Sequence, residues 1–225
     1  MRLVSKQPAR KIKPNPFSIT GWAKCRDGCS IPFESSLERD WIIALDFDPL
    51  TRSIHSQPFT LEYYTDEGKR RYYTPDFMAT FQRFWEPTLA GYIYEVKYRS
   101  DLRENWKQYR PKFKAAIHRC KEEGMRFKIM TEREIRTPFV QNATFLRRYR
   151  EYPTDEAIDI QLKRTLLTLP PELRTPKILL TAAYAYDLNR LKAIPHLWRL
   201  MDAHTILFYR EETLTMNSEI WLPEN

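Results

Sequence analysis

Two short segments carry side chains suited to hydrolysing a phosphate ester. They are Thr74-Pro75-Asp76-Phe77 and Tyr94-Glu95-Val96-Lys97. Both read as strands. Side chains two apart on a strand share a face, so Glu95 and Lys97 project together while Tyr94, Val96 and Tyr98 take the other side. If the two strands are neighbours, Asp76 and Glu95 converge on one ion. Unaided phosphodiester hydrolysis is very slow, and enzymes that act on such bonds supply accelerations on the order of 10¹⁵ or more. Paired carboxylates hold a hard cation such as Mg2+, with Mn2+ as a substitute. The ion activates a water and offsets charge on the phosphate. A lysine beside it orients the water or helps to deprotonate it, and stabilises the pentavalent phosphate. Glu38, from an earlier helix, completes the carboxylate set.

Each residue also has a local explanation. Glu38 is the distal member of a capping box with Ser35. Glu95 and Lys97 suit an exposed charge pair on a strand, and Asp76 suits a turn. The signal lies in the conjunction of Glu, Pro-Asp and Glu-x-Lys, in that order, on helix, strand and strand.

The elements that must position these groups follow from the pattern. A helix starts at Ser35, with Leu37, Trp41, Ile42 and Leu45 on one face, and stops at Asp48-Pro49. Residues 53–64 and 71–81 read as a hairpin around Asp66-Glu67-Gly68-Lys69. Trp85-Glu86-Pro87 is a break, and residues 91–98 form a further strand. A long helix spans 102–123, with Pro111 expected to kink or restart it. Residues 125–130 form a strand and 138–150 a helix. This order predicts an α/β domain with a mixed sheet flanked by helices, over residues 31–152. Pro153 marks the expected boundary. Beyond it come three helices, 155–169, 175–184 and 188–201, then two strands, 205–209 and 219–222. That pattern suits a small winged-helix-like domain over 153–225, or a generic helical cap. Residues 1–30 read as an extended basic arm, with Arg2, Lys6, Arg10, Lys11, Lys13, Lys24 and Arg26 set among Pro8, Pro14 and Pro16. A solvated tail and a nucleic-acid-touching arm are both open readings.

Composition narrows the partners. The net charge of +8 over 225 residues favours a polyanionic partner. Only 5 glycines leave no room for a Gly-rich phosphate loop, so no intrinsic NTPase is expected. Cys25, Cys29 and Cys120 form neither a disulfide framework nor a zinc motif, and free thiols in a reducing cytoplasm are expected. No apolar run is long enough for a bilayer, and no signal-peptide core is present. Lys107, Arg110, Lys112 and Lys114, interleaved with Trp106, Tyr109 and Phe113, are candidate phosphate contacts or a solvated helix face. The same question attaches to Arg147, Arg148 and Arg150. Gln57-Pro58 reads as a strand-edge turn, with contact to DNA or a metal-bound water as the sharper alternative. His55, His118, His196 and His204 are scattered and suggest no metal cluster.

Ser36-Leu37-Glu38-Arg39-Asp40, Tyr73-Thr74-Pro75-Asp76-Phe77 and Glu95-Val96-Lys97 together resemble the restriction-endonuclease-like nuclease superfamily, and within it the TnsA family of transposon endonucleases. The likeness covers most of residues 30–150. It implies that Glu38, Asp76 and Glu95 are metal-site carboxylates and that Lys97 is the catalytic lysine. Some members carry glutamine where this chain has Glu95. The resemblance further implies a bacterial, Mg2+-dependent endonuclease subunit that cuts the 5′ ends of a mobile element. It implies an integrase-like, TnsB-like transposase partner that cuts and joins the 3′ ends, and a TnsC-like AAA+ ATPase regulator. A stand-alone restriction or repair nuclease of the same fold, and an inert DNA- or protein-binding module, are the alternatives.

Overall fold

The computed structural model describes residues 19–82 and 89–224. They form two compact units that divide between Arg136 and Thr137. The first unit contains β1 (Gly21–Lys24), β2 (Ser30–Phe33), α1 (Ser36–Phe47), β3 (Thr51–Ser56), β4 (Leu61–Tyr64) and β5 (Arg70–Tyr73). It continues through β6 (Phe77–Phe81), β7 (Gly91–Val96), α2 (Arg99–Glu122), β8 (Met125–Met130) and α3 (Glu132–Ile135). None of the described helices is long and apolar enough to cross a membrane.

Every residue of β7 is buried, as a strand covered on both faces requires. The sheet runs β3-β6-β7-β8, antiparallel except between β7 and β8. That parallel step needs a crossover, and α2 supplies it. On the α2 side, Phe113, Ala116 and Cys120 pack with Ile93, Phe127 and Ile129. On the other side, the Trp41 ring of α1 meets Tyr94 edge-on at 5.0 Å. The architecture is therefore the expected one, a mixed α/β sheet flanked by helices.

Several local expectations change. Residues 1–18, with most of the expected basic arm, lie outside the described residues, as does Trp85-Glu86-Pro87. The rest of that arm is not extended. β1 and β2 pair antiparallel, and Cys25 N–H donates to the Cys29 carbonyl at 2.8 Å across the turn. Ala23, Ile31 and Phe33 bury from this hairpin, so it is held by packing that a proline count does not register. Cys25 and Cys120 are buried and Cys29 is exposed.

The single long hairpin expected over 53–81 is in fact two ribbons. β4 pairs with β5 outside the main sheet, while β3 pairs with β6 within it. The break falls at Gln57-Pro58 on one side and Thr74-Pro75 on the other. Neither proline can donate to a ladder, and Gln57 turns the chain with a φ of 49°. Its N–H donates to the Asp76 carbonyl at 2.8 Å, closing the junction. In the long helix, Pro111 neither ends nor restarts α2. The sequence also hid α3, a short helix closed by a Thr131–Glu134 capping box.

The second unit begins earlier than Pro153. It contains α4 (Pro138–Leu146), a 3-10 turn at Arg147–Tyr149, α5 (Glu156–Thr168), α6 (Pro176–Ala183) and α7 (Asp187–Asp202), then β9 (Leu207–Phe208) and β10 (Ile220–Trp221). The helix expected over 138–150 belongs here because its contacts do. Asn142 donates to the Arg210 and Glu212 carbonyls at 3.0 and 2.7 Å, and Phe145 meets Trp198 edge-on at 5.3 Å. Arg150 is no free cation, since its guanidinium pairs with Asp202 at 3.0 Å. Leu162, Leu166, Leu179, Leu197 and Met201 make the helical core. β9 and β10 pair over two residues each.

Gly91 opens β7 where β6 runs closest. A Cβ there lands 2.7 Å from the Ala79 carbonyl oxygen, a backbone atom that cannot swing aside. Gly91→Ala is expected to lower stability by roughly 2 kcal/mol. Urea denaturation measures it, and an unchanged midpoint would contradict this close approach.

Candidate active site

The register of β6 on β7 decides where the acids meet. Phe77 pairs with Tyr94, so Asp76 enters opposite Glu95. Asp76 N–H donates to the Tyr94 carbonyl at 3.1 Å, and Val96 N–H returns a bond to Asp76 Oδ2 at 2.7 Å. Asp76 stands just ahead of the regular β6 ladder, and its carboxylate accepts the Val96 N–H where a backbone carbonyl would otherwise do so. Glu95 shares the α2-facing side with Ile93 and is 1% exposed. Lys97 follows the last residue of β7, its N–H tied to the Met130 carbonyl at 3.0 Å.

Lys97 gathers these groups. Its Nζ lies 3.7 Å from Asp76 Oδ2, 3.4 Å from Glu95 Oε1 and 3.2 Å from the Val96 carbonyl oxygen. Burial alone favours loss of its proton, but Asp76, Glu95 and Glu38 outweigh that and hold the ammonium charged well above the ordinary lysine range. The Asp76 carboxyl is pushed up to about 7, first by burial and then by the Glu95 charge. Lys97 and the Val96 N–H pull it only part of the way back.

Glu38 stands apart from this group. It occupies the third position of α1, and its N–H donates to the Ser35 hydroxyl oxygen at 3.1 Å. Its carboxylate accepts from Glu34 N–H at 2.8 Å and from the Ser35 hydroxyl at 3.1 Å. Burial raises its carboxyl, while the Glu34 N–H and Lys97 lower it. Glu38 is thus an electrostatic neighbour of the site and also a helix cap. Among the described residues no three His, Cys, Asp or Glu side chains converge as a metal-binding group. Asp76 and Glu95, with the Val96 carbonyl, are the oxygen donors drawn together on one cation, the Lys97 ammonium. Hard oxygens around a resident cation fit a divalent ion such as Mg2+.

Three further residues support the site in roles that the sequence did not assign to them. Tyr73, at the end of β5, donates its hydroxyl to Glu95 Oε2 at 2.5 Å. Burial and the Glu95 charge both raise that phenol, so it stays a donor. Arg136 bridges Tyr98, Ser36 and Asp40 at 3.1 to 3.3 Å, tying the chain after Lys97 to the first turns of α1. Lys112 was a candidate phosphate contact, but it turns inward. Its Nζ meets Glu95 Oε1 at 2.9 Å and lies 4.4 to 5.0 Å from the Tyr73, Tyr109 and Phe113 ring centres. An ammonium so enclosed is not available to a phosphate. Lys107, Arg110 and Lys114 are exposed.

A mixed sheet flanked by helices, with Pro-Asp and Glu-x-Lys on adjacent strands, defines the restriction-endonuclease-like class of nucleases. Residues 48–132 match the family model described as TnsA-like endonuclease N terminal, so this segment is similar to a TnsA-like endonuclease domain. Asp76, Glu95, Lys97 and Lys112 fall inside the matched span, and Glu38 falls outside it. Comparison with curated proteins gave no match.

Two outcomes follow. The Asp76 carboxyl holds its proton between 3.8 and about 7 only in the folded chain. Its contribution to stability is therefore full below the lower value and lost as pH rises through the upper one. Without divalent ions, Asp76→Asn should exceed the parent in stability by roughly 1–3 kcal/mol at pH 7.5. The gap should narrow below pH 5, and a less stable variant at pH 7.5 contradicts the assignment. Conversely, Lys112→Met leaves Glu95 buried with one cation fewer and should cost roughly 3 kcal/mol. Guanidinium denaturation tests it, and a neutral change would mean Lys97 and Tyr73 suffice for Glu95.

Proposed function

We propose that this chain is the endonuclease subunit of a heteromeric transposase. It hydrolyses the phosphodiester at the 5′ ends of a mobile element, in a bacterial cytoplasm. An integrase-like transposase of the TnsB type handles the 3′ ends, and an AAA+ ATPase of the TnsC type regulates the assembly. The second unit, read as winged-helix-like, is the natural docking point for those proteins. One observation carries the reading: Asp76, Glu95 and Lys97 are drawn together on adjacent strands, inside the span that matches a TnsA-like endonuclease.

Asp76 and Glu95, with the Val96 carbonyl, would hold Mg2+ or Mn2+, and Glu38 would act from a greater distance. The bound ion supplies an activated water and charge neutralisation at the phosphate. The remaining work belongs to the chain. Lys97, kept charged by its carboxylates, offsets negative charge as it builds on the non-bridging phosphate oxygens. A lysine whose proton is held this firmly is a poor general base, so it orients and stabilises rather than deprotonates. Glu95 is fixed by Tyr73 and Lys112, so its carboxylate does not wander between turnovers.

The test uses transposon-end DNA, the partner transposase and Mg2+, with the cut strand mapped on a sequencing gel. Asp76→Ala or Lys97→Ala should reduce 5′-strand cutting by about a thousandfold or more, while association with the partner persists. Retained cutting in both variants defeats the proposal. Efficient cutting by the wild-type chain alone would favour a stand-alone nuclease.

A further inference from the structure

The cations of α2 are not spread around the helix. At 3.6 residues per turn, Arg103, Lys107, Arg110, Lys114 and Lys121 fall within a sector of roughly 60°. All five are exposed. Asp101, Glu104 and Glu122, the acidic residues of α2, lie outside that sector. Other cations of the same helix have acidic partners. Lys112 pairs with Glu95 at 2.9 Å and Arg119 with Glu123 at 2.7 Å. Among the described residues, none of the five forms an ion pair.

An ordinary solvated helix face mixes signs, because opposite charges three or four residues apart stabilise it. Here Arg103–Lys107, Lys107–Arg110 and Arg110–Lys114 are like-charge pairs at that spacing, and each one destabilises. The stripe also holds much of the molecule's charge. Of the net +8, five charges lie in residues 1–18 and five in this stripe, so the rest of the chain is slightly negative. The row runs about 27 Å at 1.5 Å per residue, most of one roughly 34 Å turn of B-form DNA. Apolar neighbours border it, with Trp106 and Ile117 each about half exposed.

We propose that this stripe is a DNA-backbone track. It grips one stretch of duplex through phosphates, without reading bases, as α2 leads away from Lys97. The inference rests on the nuclease reading only for the identity of the polyanion. Its occupant matches it in charge, since duplex DNA presents one negative charge per roughly 1.7 Å of axis. The track comprises Arg103, Lys107, Arg110, Lys114 and Lys121. Lys112 is not part of it.

The full chain is titrated into a fluorescent 30-base-pair duplex in EDTA, and anisotropy is followed from 50 to 200 mM salt. The variant Lys107→Gln/Arg110→Gln/Lys114→Gln removes three charges without touching the site. Its slope of log affinity against log salt should be shallower by about 2.7, and its affinity near 100 mM salt should fall at least tenfold. Arg119→Gln, off the stripe, should keep the wild-type slope, and melting curves establish that each variant is folded. A wild-type slope in the folded triple variant overturns the proposal, as it would if the stripe served an acidic protein. So does a wild-type chain with no salt-dependent binding. Asp76→Asn separates the two readings. If it binds like wild type and still cuts, the nuclease assignment fails and the track stands. If it stops cutting while the triple variant binds like wild type, the track fails and the nuclease stands.

Discussion

Two carboxylates are forced together at the end of a buried strand, and a lysine makes that possible. Asp76 and Glu95 sit on adjacent strands because β6 lies beside β7 in the sheet. Their mutual repulsion, together with burial, raises the Asp76 carboxyl far above its ordinary range. Lys97 answers it from the same strand end, and Lys112 answers it from α2. Around this group the fold is arranged to keep charges apart from water yet paired with one another. The phenol of Tyr73 and the cap of α1 complete that arrangement.

Such a site is a compromise between burial and charge. The ammonium of Lys97 lies among oxygens of Asp76, Glu95 and Val96, and its proton is held by the two carboxylates. Functional sites commonly carry this kind of instability, because the arrangement favoured for chemistry is not the one favoured for folding. The sheet is closed over by α1 on one face and α2 on the other, and the second unit packs leucines from three helices around its own core. Two prolines, Pro58 and Pro75, lift the β4–β5 ribbon out of the sheet. Beside that break, Tyr73 reaches Glu95 and the Asp76 carboxylate accepts the Val96 N–H.

Much of the site is legible in the sequence alone. The order of Glu38, Pro75-Asp76 and Glu95-x-Lys97, and the alternation along residues 91–98, name the chemistry and its strands. The helix–strand order predicts a mixed sheet flanked by helices. The residues that steady the site are not legible in this way. Tyr73 looks like a strand aromatic, and Lys112 looks like one more cation on a basic helix. Helical period puts Lys112 and Lys114 on opposite sides of α2, but it does not say which side meets the sheet. Only the packing of α2 on the sheet turns one of them toward Glu95 and the other toward solvent.

Sequence by itself placed Glu95 and Lys97 on one face of a strand, because strand alternation has a period of two and needs no distant information. It also determined where proline must interrupt a ladder, because the missing N–H belongs to the residue. Tertiary structure alone decided which elements become neighbours. It paired β6 with β7, assigned residues 138–150 to the second unit, and folded residues 21–33 into a hairpin. It sorted the cations of α2 into one supporting lysine, an ion-paired Arg119 and an unpaired stripe. Those outcomes depend on contacts between residues far apart in the chain, and such contacts leave no mark on the local pattern of either partner.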